Sequence, residues 1–206
     1  TDLKASLKAR SSPDTCNSTR RPTPEEYLPT SQEAKIERIS RSRISFDRLY
    51  ASDLRRARQT AEPLAQVLGL PIATTPLLRE IHVGELAGLT RAEAEARFPS
   101  FLAEAAKDPW NARRPGGESM ADLARRLQAF LEEVPPGRHL VVTHGGVIRA
   151  ALKLALDLAG DTWRRFHIQN TSITRILYPE NAVLTVADAA HLEVWADWLS
   201  DEDLKG

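Results

Sequence analysis

Residues suited to handling a phosphate group stand at three places in this 206-residue sequence, and His144 marks the first. It follows the apolar run 140–142 and precedes Gly145 and Gly146, as at the end of a buried strand that turns into a helix. The first amides of a helix lack partners within the helix and suit a phosphate, and a histidine donates to anions or moves protons near neutral pH. A histidine that merely ends a strand is the alternative interpretation.

The second place is the arginine-rich stretch 52–61, and the third is a loop around Glu80. Arg55, Arg56 and Arg58 stand at a predicted strand–helix junction, where a guanidinium can bind a phosphate through two hydrogen bonds. Glu80 is followed by a loop with two glycines, and a carboxyl with a raised pKa at such a place can protonate a leaving oxygen. A solvated helix face and an ordinary surface glutamate are the alternative interpretations of these two patterns.

Apolar spacing predicts the elements that must position these residues. Predicted strands and helices alternate along the chain. The predicted strands are 46–51, 71–74, 139–143, 172–178 and 182–186. The predicted helices are 54–68 (after a Ser52 cap and before Gly69), 90–106 (broken at Pro99), 120–134 (capped by Ser119) and 145–158, and an amphipathic end carries Trp195 and Trp198. This alternation predicts an α/β fold of three layers, with a mainly parallel central sheet and helices on both faces. Ligands of such sheets bind at the carboxyl ends of the strands, where His144 lies.

The composition excludes several classes of protein. Lysine plus arginine and aspartate plus glutamate number 28 each, so the net charge is zero and charge alone gives no case for nucleic-acid or membrane binding. No apolar run approaches the roughly 20 residues that cross a bilayer. The single cysteine, Cys16, excludes an internal disulfide framework and a cysteine-based zinc site. We therefore expect a reduced, cytoplasmic setting.

The first part of the chain differs from the rest. Residues 1–46 hold eight of the thirteen serines and none of the ten glycines, which predicts an atypical polar N-terminal segment there and an α/β domain over 47–206. Residues 24–44 place Ile36 and Ile39 at helical spacing, so one short helix within the polar segment is the alternative to an unordered tail.

Six stretches of the sequence occur in an order that resembles one known family. They are 52–61 (SDLRRARQTA), 78–88 (LREIHVGELAG), 115–119 (PGGES), 141–150 (VVTHGGVIRA), 170–176 (NTSITRI) and 187–192 (ADAAHL). Together they resemble the histidine phosphatase superfamily, the phosphoglycerate-mutase-like proteins, and in particular its small bacterial phosphatases of the broad-specificity and α-ribazole-phosphate types. The resemblance implies the three-layer fold of that family and phosphoryl transfer through a phosphohistidine, with no metal and no cofactor.

The resemblance also implies roles for individual residues. Arg56 is similar to the helix arginine that grips the phosphate, Glu80 to the proton donor, and His144 to the histidine that stabilises the transferring phosphoryl group. Ser52 and Gly145 are implied as further phosphate-binding positions. The implied partner is a small phosphorylated substrate or inorganic phosphate, and a homodimer is compatible with the resemblance.

The sequence departs from the family at the nucleophile. The family's nucleophilic histidine lies in an Arg-His-Gly stretch at the end of the first strand, whereas the five histidines here stand at 82, 139, 144, 167 and 191. His82 resembles the family's loop histidine and not its nucleophile. Three explanations stay open: a true N-terminus that differs from this one, a degenerate member that binds phosphorylated ligands without turnover, or a partner chain that supplies the missing strand.

Three functions also stay open. The first is a metal-independent phosphomonoester phosphatase, and the second is a catalytically inactive member that binds phosphorylated ligands. A phosphoglycerate-type mutase is a further alternative, although His144 follows Glu80 by only 64 positions, and the mutases of this family carry a longer insertion there. If Glu80 is the acid and His144 works charged, activity should peak on the acidic side.

Residues 89–114 should form a lid that selects the substrate. The aromatic side chains of this lid either stack on an organic leaving group or pack in the core. They are Phe98, Phe101 and Trp110.

Overall fold

The computed structural model describes residues 31–42 and 44–192, and within them six α-helices and five strands. The helices are α1 (Ser31–Arg41), α2 (Arg55–Leu68), α3 (Arg91–Arg97), α4 (Pro99–Lys107), α5 (Met120–Glu133) and α6 (Gly145–Ala155). The strands are β1 (Arg48–Ser52), β2 (Ile72–Thr75), β3 (His139–Val142), β4 (Ile173–Leu177) and β5 (Ala182–Asp188). Helices and strands alternate as the apolar spacing predicts, with ends that differ by up to three residues.

The central sheet is parallel. β1 lies between β2 and β3, and Tyr50 of β1 pairs in register with Ala73 on one side and Val141 on the other. Parallel neighbours need a crossover, and α2 lies in the crossover from β1 to β2. β4 and β5 form a separate antiparallel pair. The predicted α/β fold with a mainly parallel central sheet is therefore confirmed.

Helices cover both faces of the parallel sheet, because alternate residues of β1 point to opposite sides. Tyr50 lies in an apolar cluster with residues of α5 and α6, among them Leu127 and Val147. Leu49 lies in a second cluster with Leu64 of α2. The two clusters hold the helices in place and leave the carboxyl ends of β1 and β3 at one edge.

Two predicted helix ends are confirmed and one is wrong. Ser119 begins α5 with a capping box, in which its hydroxyl accepts from the Asp122 amide and the Asp122 carboxylate accepts from the Ser119 amide. Gly69 ends α2 with a φ of +66°, a left-handed conformation that favours glycine. Ser52 does not cap α2, because it is the last residue of β1 and Leu54 holds the cap position.

Strand β3 is less covered than its apolar run predicts. Val141 is 36% exposed, although it lies in the middle of that run. Among the described residues β3 pairs with β1 alone, so it forms an edge of the three-stranded sheet. The apolar run 140–142 therefore predicts more burial than β3 has in the structure.

Helix α1 precedes the boundary predicted at residue 46 and nevertheless packs on the α/β domain. Ile39 is buried in the same cluster as Leu49. Arg38 forms an ion pair with Asp188 at the end of β5, and its Nη1 lies 3.1 Å from Nδ1 of His191. The hydrogen bonds from Arg38 lower the pKa of Asp188 to about 2. The short helix predicted within 24–44 is thus confirmed as α1.

Some sequence predictions lie outside the described residues. These are the predictions for Cys16, Trp195 and Trp198 and for residues 1–30. Within the part of the chain that the structure describes, none of the helices has the length and apolar character needed to cross a membrane.

Candidate functional site

The carboxyl edge of the parallel sheet brings Arg56 and His144 together, although 88 positions separate them. Arg56 lies in the first turn of α2 and His144 directly follows β3, so the two neighbouring strands end at the same place. The Arg56 Nε donates to Nδ1 of His144 at 3.3 Å. His144 is 8% exposed, whereas Arg56 is exposed. The site therefore combines a buried histidine with an arginine that solvent can reach.

Hydrogen bonding determines which nitrogen of His144 carries the proton. Because Nδ1 accepts from Arg56, the proton of the neutral imidazole is assigned to Nε2. That Nε2 is buried and has no hydrogen-bond partner among the described residues, which is unusual for a buried polar atom. Burial lowers the pKa of His144, and the Arg56 charge lowers it further against an opposing effect of Glu80. A lowered pKa favours the neutral imidazole, in which Nε2–H is a hydrogen-bond donor.

Glu80 is the third predicted residue at this edge. Its Oε2 accepts from the Gly146 amide in the first turn of α6 at 3.2 Å, and its Oε1 accepts from the Ile81 amide at 2.9 Å. A Cβ at position 146 would overlap Oε1, so the glycine allows the carboxylate to approach the helix. The first turn of α6, which follows His144 directly, therefore holds the Glu80 carboxylate at the same edge of the sheet.

Two ion-paired arginines hold the segment that carries Glu80. Arg79 donates two hydrogen bonds to Asp53, at 2.7 Å from Nε and 2.6 Å from Nη2. Arg126 of α5 donates to the carbonyls of Leu77 at 2.7 Å and Glu80 at 3.3 Å. These contacts join the end of β1 and the body of α5 to the chain on either side of the carboxylate.

Two loops interlock beside Glu80, residues 82–85 and 115–118, and we call this contact the loop clasp. Main-chain hydrogen bonds join the two loops. They run from the Glu118 amide to the His82 carbonyl (2.8 Å) and from the Glu85 amide to the Pro115 carbonyl (2.9 Å). Backbone contacts therefore hold the loop clasp together.

Two glycines allow the backbones of the two loops in the loop clasp to approach each other closely. Gly84 has a φ of +58°, and a Cβ on it would overlap the carbonyl of Pro115. A Cβ on Gly117 would overlap the carbonyl of His82. Side chains at these two positions would force the loops apart.

Charged side chains complete the loop clasp. The Glu118 carboxylate accepts two hydrogen bonds from Arg126, at 2.9 and 3.0 Å, and one from the His82 amide at 2.9 Å. Burial opposes ionisation of Glu118, but these hydrogen bonds outweigh it and lower the pKa. Arg114 donates from Nη1 to the Glu118 carbonyl at 3.0 Å.

The two further positions predicted for phosphate binding differ in the structure. Ser52 is fully buried and its hydroxyl accepts from the Leu54 amide at 3.3 Å. We therefore correct its predicted role: the Ser52 hydroxyl is used by its own backbone and shapes the turn into α2. The Gly145 amide begins α6 beside His144 and has no partner among the described residues.

The aromatic side chains of the predicted lid are used in packing where the structure shows their contacts. Trp110 meets Trp163 edge to face, with 5.6 Å between the ring centroids, and Lys153 Nζ lies 5.0 Å from the Trp110 centroid. The Arg97 guanidinium lies 5.5 Å from the Phe98 centroid. Core packing is therefore the correct interpretation for Trp110.

The fold positions the other histidines by different contacts. His139 begins β3, at the opposite end of the strand from His144, and its Nε2 lies 2.8 Å from the Pro135 carbonyl. His191 contacts Arg38 after β5, and His82 lies in the loop clasp. His167 lies between α6 and β4 and is exposed.

Sequence reasoning missed the charged residues around Glu80. Arg126 follows Glu118 by eight positions and pairs with it. This spacing of about two helical turns at the start of a predicted helix was the one feature of the sequence that could have predicted the pair. Arg114 carried no signal, because its surroundings depend on how two loops fit together.

This fold and site define a class: an α/β protein that gathers an arginine, a histidine, a helix N-terminus and a carboxylate at one sheet edge. A family model described as the histidine phosphatase superfamily (branch 1) matches residues 31–188. The chain belongs to the histidine phosphatase superfamily, as the six stretches of sequence predicted.

Individual relatives agree with this membership. A probable phosphoglycerate mutase GpmB of Yersinia pestis (strain Pestoides F) is 32% identical over 157 residues, which cover 71% of this chain and 73% of the relative. A mycobacterial glucosyl-3-phosphoglycerate phosphatase solved with inorganic phosphate is 28% identical, with a TM-score of 0.63 over 78% of this chain and 85% of that one. YhfR of Bacillus stearothermophilus shares the fold, with a TM-score of 0.65 at 24% identity over 79% of this chain and 86% of that one.

Proposed function

We propose that this chain binds a phosphomonoester or inorganic phosphate, with the phosphate at Arg56, His144 and the Gly145 amide. The observation that carries the proposal is the buried Nε2–H of His144, which lacks an acceptor among the described residues and lies beside the Arg56 guanidinium. A phosphate oxygen supplies that acceptor, and the guanidinium supplies the countercharge. In this proposal the ester oxygen lies at Glu80, whose carboxylate accepts from the Gly146 amide at the start of α6.

Binding without turnover is the activity that these residues support best. Hydrolysis through a phosphohistidine requires a histidine nitrogen that forms a bond to phosphorus while the ester oxygen leaves with a proton from Glu80; water then releases inorganic phosphate. His144 does not suit the first step, because its Nε2 holds the proton and its Nδ1 accepts from Arg56. Residues 1–81 contain no histidine to take the place of the family's nucleophile.

Phosphomonoester hydrolysis is the second candidate, and the position of Glu80 favours it. A carboxylate held by two amides beside the phosphate side of the site has no evident use in binding an anion. The phosphatase relative solved with inorganic phosphate supports this candidate, and the GpmB relative supports a mutase. The short offset of 64 positions from Glu80 to His144 favours the phosphatase over the mutase.

Calorimetric titration with inorganic phosphate tests the binding proposal. Arg56→Ala should weaken binding at least tenfold, since a hydrogen bond to a charged group contributes about 1.5–3 kcal/mol. Arg55→Ala is the matched control, because Arg55 is the preceding helix residue and is exposed. Equal dissociation constants for Arg56→Ala and Arg55→Ala would contradict the proposal.

Phosphate release from p-nitrophenyl phosphate in the presence of a chelator separates the two candidates. We expect no release above that of the buffer. Release that disappears in both His144→Ala and Arg56→Ala would instead establish the phosphatase.

A further inference from the structure

A cavity of about 240 Å³ lies beside the edge strand β2, on the face of the sheet that α5 covers. Its floor comes from β1 and β2, whose residues Tyr50 and Ala73 pair in register and point to the same side of the sheet. Its wall comes from the last turn of α5 and the residue after it, at Phe130, Glu133 and Val134. None of the residues that we place at the phosphate or at the ester oxygen lines this cavity, so it is a separate place on the molecule.

The Tyr50 hydroxyl is a polar group without a protein partner at the floor of the cavity. Tyr50 is only 9% exposed, and its ring lies edge to face with Phe130 and His139, at centroid distances of 5.2 and 5.6 Å. The hydroxyl keeps some accessible surface and forms no hydrogen bond with the described residues. Since Tyr50 lines the cavity, its hydroxyl opens into it. A tyrosine hydroxyl in such a position normally has a hydrogen-bond partner, and here a molecule in the cavity supplies it.

Two opposite charges line the cavity without pairing. Arg48 begins β1 and Glu133 ends α5, and neither side chain forms an ion pair or a hydrogen bond with the residues that the structure describes. Exposed charges elsewhere in the fold do pair, as Arg91 does with Glu95 at 2.8 Å. One cation and one anion together give the cavity no net charge, so it is complementary to a zwitterion and not to a simple anion or cation.

Apolar surface lies between these charges. It comes from Ala73, Phe130 and Val134 and from the ring of Tyr50. An apolar cavity of about 150 Å³ holds a molecule of benzene, so the larger volume here has room for a phenyl ring that carries charged groups. A zwitterion with one apolar substituent therefore matches both the charge and the size of the cavity.

We infer that this cavity binds a free amino acid with an apolar or aromatic side chain. The carboxylate of the amino acid binds the Arg48 guanidinium, and its ammonium group binds the Glu133 carboxylate. Its side chain packs against Phe130 and Ala73, and the Tyr50 hydroxyl forms a hydrogen bond with the polar end of the ligand. The inference does not depend on the proposed function, because the two sites share no residue.

Calorimetric titration of the full chain with three related compounds tests the inference. The first is L-phenylalanine, the second is 3-phenylpropanoate, which lacks the ammonium group, and the third is 2-phenylethylamine, which lacks the carboxylate. The unchanged protein should bind L-phenylalanine about fivefold more tightly than either of the others, because each of them leaves one charge of the cavity without a partner.

Substitutions at the two charges should remove these preferences one at a time. Glu133→Gln should abolish the preference for L-phenylalanine over 3-phenylpropanoate, and Arg48→Gln should abolish its preference over 2-phenylethylamine. Tyr50→Phe should weaken the binding of L-phenylalanine about threefold, through the loss of one hydrogen bond. Glu132→Gln is the matched control, because Glu132 is the preceding residue of α5, is exposed and does not line the cavity.

Several outcomes overturn the inference. No binding of L-phenylalanine by the unchanged protein at about 10 mM does so, as does equal binding of the three compounds. Preferences that survive in Glu133→Gln and Arg48→Gln, or an equal loss in Glu132→Gln, also overturn it. If Tyr50→Phe does not fold, the two substitutions at exposed charges still decide the question. Phosphate binding without binding of L-phenylalanine would overturn this inference and leave the proposed function in place.

Discussion

The two sides of the site are built in different ways. The side proposed for the phosphate, Arg56 and His144, is called the phosphate side, and it needs two neighbouring strand ends and one hydrogen bond between side chains. The side proposed for the proton donor, around Glu80, is called the proton-donor side, and it depends on the loop clasp and on the pairing of Arg126 with Glu118. A parallel sheet alone produces the first arrangement, whereas the second requires that two loops far apart in the chain fit backbone to backbone.

We infer from this difference that ligand binding depends mainly on one side of the site and the stability of the fold mainly on the other. Under the proposed function, substitutions on the phosphate side remove donors and charge that a ligand uses, but few contacts of the fold. Substitutions on the proton-donor side break contacts that hold the ends of several elements together. Three predictions test this division, beginning with the largest expected effect.

Gly84→Ala should strongly destabilise the protein. The new Cβ would overlap the Pro115 carbonyl, and the residue has a φ of +58°, so the loop clasp must open. We expect a loss of about 3 kcal/mol or more in the free energy of unfolding, measured by chemical denaturation.

Gly88→Ala is the matched control for this substitution. Gly88 has a φ of +76° but open space around the position of a Cβ, so its replacement should cost about 1 kcal/mol from backbone conformation alone. Equal losses for Gly84→Ala and Gly88→Ala would show that the loop clasp adds nothing beyond the strained φ.

Arg126→Met should cost about 2 kcal/mol in the free energy of unfolding at pH 7. It leaves the part-buried Glu118 carboxylate without its ion pair and the Leu77 and Glu80 carbonyls without a donor. Arg125→Met, on the adjacent and 72% exposed side chain, should change stability by no more than about 0.5 kcal/mol.

The pH dependence of the same pair sharpens this prediction. The lowered pKa of Glu118 means that its ion pair contributes stability that is present above the ordinary pKa of 4.5 and is lost as the pH falls through the lowered value. The stability difference between the unchanged protein and Arg126→Met should therefore shrink below pH 4.5. A constant difference from pH 7 to pH 3.5 would contradict the assignment to Glu118.

The smallest effect concerns the phosphate side, with sulfate as the probe because it keeps two negative charges across this range. The lowered pKa of His144 means that the imidazole gains its second proton only below the ordinary value of 6.5. Sulfate should then bind about fivefold more tightly at pH 5 than at pH 7, by calorimetry. His144→Gln should show no such rise, and a rise of equal size in that variant would assign the effect to another group.

The parallel sheet and the phosphate side could be predicted from the sequence because both depend on local patterns. The run 140–142 followed by His144 and two glycines predicts a strand that ends in a helix, and the structure has β3 and α6 there. Because the strands before Arg56 and His144 end at the same edge of the sheet, the two residues can be predicted to lie close together. Ser52 was the exception, because whether a hydroxyl faces a ligand or its own backbone depends on a turn two residues long.

The proton-donor side could be predicted only in part. The stretch around Glu80 resembles the family, but the pairing of Arg126 with Glu118 and the contact of Arg114 with the Glu118 carbonyl are products of tertiary packing. The glycines of the loop clasp are visible in the sequence, yet nothing local shows that Gly84 and Gly117 meet the opposite loop. The burial of His144 and its tautomer likewise depend on partners from another element.

The contact between Trp110 and Trp163 gives the molecule an optical property. Their rings are 5.6 Å apart and inclined at 67°, which is close enough for the excited states of the two indoles to couple. Fixed aromatic packing of this kind is visible in near-ultraviolet circular dichroism. Because Trp110 belongs to the chain segment that leads into the loop clasp, its docking against the core can be followed spectroscopically without attaching a label.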